Sequence, residues 1–229
     1  MSQSIDEATN YINGYRQVQF PSFRDDDGSR IPIRETRSKY VFGFELELMG
    51  DAPVYRLDDY AFAFTLNNPD LSAQMDSSLG FNGFELVSHP ATIEYYRKHF
   101  SWDFLTKIRN SEMFVHLDGR RSREHFVGEC GLHIHMNKSV FDDEQHMLRW
   151  AERMLEFLEW APSDMKCFSN YAKPEHGRES IMYDRFVAVS LNHLNTVEVR
   201  AWRPALSNHV FTFYMDVMMM IAEQTKVSS

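Results

Sequence analysis

The chain has 229 residues, of which 43% are hydrophobic and 25% charged, and its formal net charge is −9 at neutral pH. This length and balance are typical of one globular domain and exclude a disordered chain, a coiled coil and a collagen-like fibre. The acidic excess argues against nucleic acid as the main partner, because a phosphate backbone attracts basic surfaces. It is compatible with a site that holds divalent cations.

The sequence gives no sign of export or of membrane contact. No apolar stretch reaches the ~18 residues that a membrane span requires, and the best candidate, residues 210–222, contains Asp216. The first ten residues lack the basic and apolar regions of a secretory signal. Two cysteines, Cys130 and Cys167, are too few for a disulfide framework. We therefore expect a cytoplasmic protein that does not contact a membrane.

The pattern of residues divides the chain into an arm and a domain. Residues 1–38 are polar and have no sustained periodicity, which predicts an N-terminal arm. Residues 39–229 alternate short apolar segments with longer helical stretches, which predicts one α+β domain.

Four strands are predicted from short runs rich in β-branched and aromatic residues, at 41–48, 83–88, 131–137 and 195–202. Three helices are predicted from apolar residues at helical spacing, at 92–108, 142–160 and 208–226. Ser139 or Asp142 is expected to cap the second helix, and Pro162 to end it.

Ionisable residues stand at alternate positions of the predicted strands. Because residues i and i+2 of a strand share a face, each of these pairs points to one side. The pairs are Glu45 with Glu47, His133 with His135, and Glu198 with Arg200, and Glu85 is a single such residue between Phe84 and Leu86. The residues between them are apolar. This predicts a curved, mostly antiparallel sheet of five or six strands, with helices on its apolar face and an ionic, concave face.

Several carboxylates gathered on one face would repel one another and raise their pKa values, and divalent cations remove that cost. Carboxylate-rich sites with open positions suit Mg²⁺ or Mn²⁺. The pair of histidines would also suit zinc, which remains the competing metal. The ionic face is therefore predicted to hold metal ions. Asp76, nine positions before Glu85 and across a glycine-rich turn, is a candidate for a further carboxylate at the same site.

Arginines near these strands are candidates for binding phosphate. Arg200 shares a face with Glu198, Arg185 precedes an apolar, strand-like run at 186–191, and Arg203 closes the last predicted strand. A loop at 117–129 contains Arg120, Arg121 and Arg123 and could close over a nucleotide as a lid. The sequence has no P-loop and no dinucleotide-binding glycine motif, so any ATP must bind by another route.

Four segments, FGFELEL, DSSLGFNGFELVSHP, CGLHIHMN and NTVEVRAW, occur in an order that resembles the amidoligase family. These enzymes are carboxylate–amine ligases related to glutamine synthetase and to glutamate–cysteine ligase. The resemblance spans roughly residues 42–204. The chain departs from the family pattern at His89, which interrupts the ELVSP segment, and at Glu129, which precedes the CGxHxH strand. The chain is also too short for a separate N-terminal domain, so the sequence leaves open whether a homo-oligomer completes the site.

The resemblance implies a catalytic domain like that of glutamine synthetase, with ATP and two or more Mg²⁺ or Mn²⁺ ions. The implied metal ligands are Glu45, Glu47, Glu85, His133 and Glu198. His135 would lie near the ATP phosphates, and Arg200 would stabilise the transferred phosphoryl group. Glu85, assisted by Asp76, would hold the metal ion beside the acceptor carboxylate.

The expected reaction is the ATP-dependent joining of a carboxylate to an amine through an acyl phosphate, with release of ADP and phosphate. The carboxylate could belong to a small molecule or a peptide. The residues also admit a metal-dependent hydrolase or a phosphotransferase on the same sheet, or a non-catalytic metal-binding module.

Overall fold

In a computed structural model, the described residues are 38–50, 57–74, 79, 83–111, 113–114, 131–169, 172–184 and 186–226. The predicted N-terminal arm and its boundary at residue 38 therefore lie almost wholly outside the described residues. None of the described helices combines the length and the apolar character that a bilayer-crossing helix requires.

The strands are β1 (Val41–Gly50), β2 (Leu71–Gln74), β3 (Gly83–Ser88), β4 (Ala91–Thr92), β5 (Met113–Phe114), β6 (Leu132–Asn137), β7 (Val189–Ser190) and β8 (Thr196–Trp202). The helices are α1 (Leu57–Thr65), α2 (Ile93–Lys98), α3 (Asp103–Arg109), α4 (Glu144–Trp160), α5 (Arg178–Tyr183) and α6 (Asn208–Gln224). A single 3₁₀ turn, Lys138–Val140, follows β6.

The strands form one eight-stranded sheet in the order β2-β3-β1-β6-β8-β7, and β4 and β5 also pair with β1. Every pairing between the described strands is antiparallel. The predicted α+β class and antiparallel sheet are therefore confirmed, but the sheet has more strands than the five or six predicted, because the short strands β2, β4, β5 and β7 were not predicted from the sequence. The order makes β3, β1, β6 and β8 consecutive neighbours, and these are the four strands predicted from the sequence.

One face of the sheet carries the core. Phe44 of β1 is 1% exposed, and its ring lies within 6.2 Å, centroid to centroid, of five other rings. These rings belong to Tyr96, Phe100, Trp102, Phe104 and Phe211. They come from α2, from α3 and the segment before it, and from α6. The apolar side chains at alternate positions of β1 therefore attach three helices to this face.

A β-bulge in β8 interrupts the alternation that places Glu198 and Arg200 on the ionic face. Ile134 of β6 lies opposite Val199, whereas Leu132 lies opposite Trp202, so that three steps on β8 match two on β6. Simple alternation would place Trp202 on the same face as Glu198. The bulge instead turns the indole ring of Trp202 into the core, where the ring stacks on Tyr214 of α6 with a centroid distance of 4.2 Å.

The prediction of one helix over 92–108 is wrong, because α2 and α3 are separate helices. Phe100 and Trp102 explain the break. Two residues apart, they would point to nearly opposite sides of a continuous helix. Both rings instead pack within 5.9 Å of Phe44, measured between centroids.

The other helix predictions hold with small changes. The helix predicted at 142–160 begins at Glu144. The prediction that Ser139 or Asp142 caps it is wrong, because the N-cap is Asp143, whose carboxylate accepts a 2.7 Å hydrogen bond from the backbone N–H of His146. The last helix ends at Gln224. Helices α1 and α5 were not predicted, and only Val189–Ser190 of the strand-like run at 186–191 forms a strand.

Replacing the central ring of the core tests this packing. Phe44→Ala should lower the free energy of unfolding by about 3–5 kcal/mol, because it removes a fully buried aromatic side chain and leaves a cavity. Phe213→Ala is the matched control, since Phe213 lies on α6 but is 49% exposed, and it should change stability by about 1 kcal/mol or less. Urea denaturation measures both, and equal losses would contradict the packing described here.

Candidate metal centre

The strand register brings the predicted ionic residues together. Glu45 on β1 lies opposite His133 on β6, and His135 on β6 lies opposite Glu198 on β8. Directly opposed residues of antiparallel strands share a face, with Cβ atoms about 4.5–5.5 Å apart. The apolar residues that alternate with these ionic residues are buried in the core on one face of the sheet. The ionic side chains therefore lie on the opposite face. The predicted ionic face is therefore present along three adjacent strands.

Glu45 links the two histidines of β6. One of its carboxylate oxygens, Oε2, lies 3.1 Å from Nδ1 of His133, and the other, Oε1, lies 3.3 Å from Nε2 of His135. Its side chain is 28% exposed, whereas the side chains of both histidines are at most 9% exposed. Glu45 therefore stands on the solvent side of a pair of buried imidazoles.

Glu198 lies at the centre of the cluster, and its side chain is 1% exposed. Its Oε1 atom is 2.8 Å from Nη1 of Arg200, 3.6 Å from Nδ1 of His133 and 3.7 Å from Nε2 of His135. Its other oxygen, Oε2, lies 2.7 Å from Nε2 of His193. Four basic side chains therefore surround this one carboxylate.

Glu47 is held beside His133 by contacts of both its carboxylate oxygens. The backbone N–H of Gly131 donates a short hydrogen bond to its Oε2 atom, and Nε2 of His133 lies 3.5 Å from its Oε1 atom. A Cβ atom at Gly131 would lie 3.2 Å from that Oε2 atom and 3.1 Å from the His133 ring. Glycine at this position therefore leaves room for the carboxylate beside the imidazole.

The charges of the cluster shift its ionisation. Burial alone would raise the pKa of Glu45 and Glu198, but the positive charges of His135 and Arg200 outweigh it and hold both carboxyl pKa values below the usual range. Burial alone would lower the pKa of His133 and His135, yet the surrounding carboxylates raise both above the ordinary imidazole value. Carboxylates and basic groups in the cluster thus stabilise each other in their charged forms.

Two sets of these side chains have the spacing of a metal site. The ligand atoms of Glu45, His133 and Glu198 all lie within 4.8 Å of one another, and so do those of His135, His193 and Glu198. The first set offers two carboxylates and one imidazole, a mixture that suits Mg²⁺ or Mn²⁺. The second offers two imidazoles and one carboxylate, which resembles the donor sets of zinc sites.

The remaining predicted residues lie at different distances from this cluster. Glu85 on β3 is opposite Glu47 of β1 and on the same face, two strands away from the histidines of β6. The guanidinium of Arg203 donates to the carbonyl of Ser163 at 3.1 Å, and no described contact joins it to the cluster, so its predicted phosphate-binding role gains no support. Asp76, Arg185 and the arginines of the predicted lid, Arg120, Arg121 and Arg123, lie outside the described residues.

His193 was not predicted from the sequence. It lies in the turn between β7 and β8, five positions before Glu198 and outside any alternating pattern. A histidine in a short turn leading into a glutamate-containing strand is the one signal that could have identified it, and that signal is weak.

Comparison of the chain with models of protein families and with curated proteins found no match to either. The class that the fold and the site define is therefore an α+β domain with a buried histidine–glutamate cluster on one face of an antiparallel sheet. The resemblance to amidoligases depends on the four sequence motifs and on no matched relative.

The raised imidazole pKa values predict how metal binding responds to pH. A divalent ion binds the neutral imidazole, so binding must displace protons from His133 and His135, whose pKa values lie above the ordinary value of 6.5. Affinity for Mn²⁺ should therefore rise by at least about 10-fold between pH 6.5 and 8.5. Calorimetry in buffers of different ionisation enthalpy would detect the released protons. An affinity that stays constant over this range would contradict the cluster's role as a ligand set.

Proposed function

We propose that this chain is an ATP-dependent carboxylate–amine ligase of the amidoligase kind, with a catalytic domain like that of glutamine synthetase and two or more Mg²⁺ or Mn²⁺ ions. The observation that best supports the proposal is the convergence of Glu45, His133 and Glu198, with ligand atoms within 4.8 Å of one another. The guanidinium of Arg200 lies beside them, 2.8 Å from Glu198. These residues belong to three of the four motifs that resemble the family.

The proposed reaction has two steps. In the first, an oxygen of the substrate carboxylate attacks the γ-phosphorus of ATP, the bond to the bridging oxygen breaks, and ADP leaves. In the second, the amine attacks the acyl carbon, the carbon–oxygen bond to phosphate breaks, and the amine nitrogen loses a proton. The first step is needed because a free carboxylate has no good leaving group. Phosphoryl transfer depends mainly on positioning and on positive charge near the phosphate oxygens.

The side chains of the cluster supply this positioning. Glu45, His133 and Glu198 would hold the ion next to the ATP phosphates, while Glu47 and Glu85, opposite each other on β1 and β3, would hold the ion next to the substrate carboxylate. Bound divalent ions would neutralise phosphate charge and align the reacting oxygens.

Arg200 would contact the transferred phosphoryl group. Its side chain is 17% exposed, and its hydrogen bond to Glu198 fixes the direction of the guanidinium. A planar guanidinium can bind two oxygens of a phosphate at once and stays charged at any physiological pH. Arg200 would therefore stabilise negative charge as the phosphoryl group moves to the carboxylate.

A metal-dependent hydrolase is the second candidate, and one observation favours it. The set of His135, His193 and Glu198 offers two imidazoles, as catalytic zinc sites commonly do. The two candidates differ in their response to nucleotide. A ligase or a phosphotransferase should be stabilised against heat by ATP with Mg²⁺ together, whereas a hydrolase should gain no stability from that combination.

Glu198→Gln tests the proposed ligase directly. The variant keeps the shape of the side chain but removes the charge at the centre of the cluster. ADP formation in the presence of carboxylate and amine substrates should fall by at least about 100-fold, while the far-ultraviolet circular dichroism spectrum stays unchanged. Substrates would first be identified by screening amino acids, peptides and amines for substrate-dependent ADP release, with mass spectrometry of the product.

Glu159→Gln is the matched control. Glu159 also pairs with a histidine, His176, at 2.8 Å, but both side chains are more than 40% exposed. This variant should keep full activity. Undiminished ADP formation by the folded Glu198→Gln protein would reject the assignment.

A further inference from the structure

His193 extends the cluster to the edge of the site. Its Nε2 atom lies 2.7 Å from Oε2 of Glu198, and its side chain is 43% exposed. Its ring is 5.1 Å from that of His135, centroid to centroid, at an interplanar angle of 77°. The two imidazoles therefore approach the same carboxylate from different parts of the chain, one from β6 and one from the turn before β8.

This second ligand set shares Glu198 with the first, and its member His193 reaches the other oxygen of that carboxylate. Oε1 of Glu198 faces Arg200, His133 and His135, whereas Oε2 faces His193. A carboxylate that presents its two oxygens to separate ligand sets can bridge two ions, which in two-metal sites lie about 3.5–4 Å apart. The arrangement therefore allows both sets to be filled at once.

The donors of the second set select a different kind of cation from the first. Imidazole nitrogen binds Zn²⁺ and neighbouring transition metals, whereas Mg²⁺ prefers oxygen ligands and keeps most of its water. Tetrahedral zinc at about 2.1 Å from each ligand places its ligand atoms about 3.4 Å apart. Nε2 of His193 lies 2.7 Å from Oε2 of Glu198, and Nε2 of His135 lies 3.7 Å from its Oε1. The ligand atoms of the three residues lie within 4.8 Å of one another, so side-chain rotation within the cluster would bring them to the spacing of such an ion.

We propose that His135, His193 and Glu198 form a second metal site, specific for a transition-metal ion of the zinc class. The three side chains leave at least one coordination position for water or for an oxygen of a substrate. Since His193 is the most exposed of the three, that position lies toward solvent at the edge of the ionic face. The proposal depends on the proposed function only through Glu198, which both ligand sets share.

The test measures metal uptake, without nucleotide or activity. Wild-type protein and the His193→Asn variant are titrated with Co²⁺ while the visible absorption of the ion is recorded, and Zn²⁺ uptake is measured by equilibrium dialysis. Wild-type protein should bind one more equivalent of Zn²⁺ than the variant. The absorption bands of nitrogen-ligated Co²⁺ should be weaker in the variant than in the wild type. If binding persists in the variant, its affinity should be at least about 100-fold lower.

His209→Asn is the control variant, because His209 is exposed at the start of α6 and takes no part in the cluster. It should bind both metals as the wild type does. Thermal unfolding checks that each variant is folded.

The outcomes separate this proposal from the proposed function. Equal uptake by wild type and His193→Asn would overturn the second site, even if ATP-dependent ligation is found. A normal second site without substrate-dependent ADP release would leave the metal assignment standing and refute the ligase.

Discussion

The burial of Glu198 is the constraint on which the ionic face depends. A lone carboxylate removed from water costs several kcal/mol or more, so it persists only where positive charge or metal compensates it. Here β6 supplies His133 and His135, β8 supplies Arg200, and the turn before β8 supplies His193. The sheet register sets these distances, and the aromatic core on the opposite face sets the register. Core packing and site geometry therefore depend on each other.

The cluster can balance its charges in two ways. The carboxylates of Glu45, Glu47 and Glu198 are matched by two protonated histidines and Arg200, whose charged forms are favoured by the shifts in their pKa values. Divalent ions can take the place of the two imidazole protons, and the same side chains then act as ligands. Because all but His193 stand on strands, the ligand positions change little between these forms. Ligands held on rigid elements are a property of preorganised catalytic sites.

Much of this arrangement could be predicted from local sequence. Alternation at Glu45 and Glu47, and again at His133 and His135, identifies the shared face because the period of two is a property of the strand itself. The bulge that buries Trp202 and the break between α2 and α3 could not be predicted, because both result from packing against distant aromatic rings. His193 could not be predicted, because residues in a turn do not alternate between two faces as those of a strand do. Its contact with Glu198 depends on how the chain reverses between β7 and β8.

Crystals grown with saturating Mn²⁺ would show whether these side chains bind divalent ions. We expect an anomalous scattering peak between Glu45, His133 and Glu198, roughly 2.2 Å from their ligand atoms, with Arg200 still bound to Glu198. The contradicting result is the absence of any such peak, with Glu45 and Glu198 joined to the histidines by hydrogen bonds alone. The cluster would then be a self-balanced ionic network of the sheet.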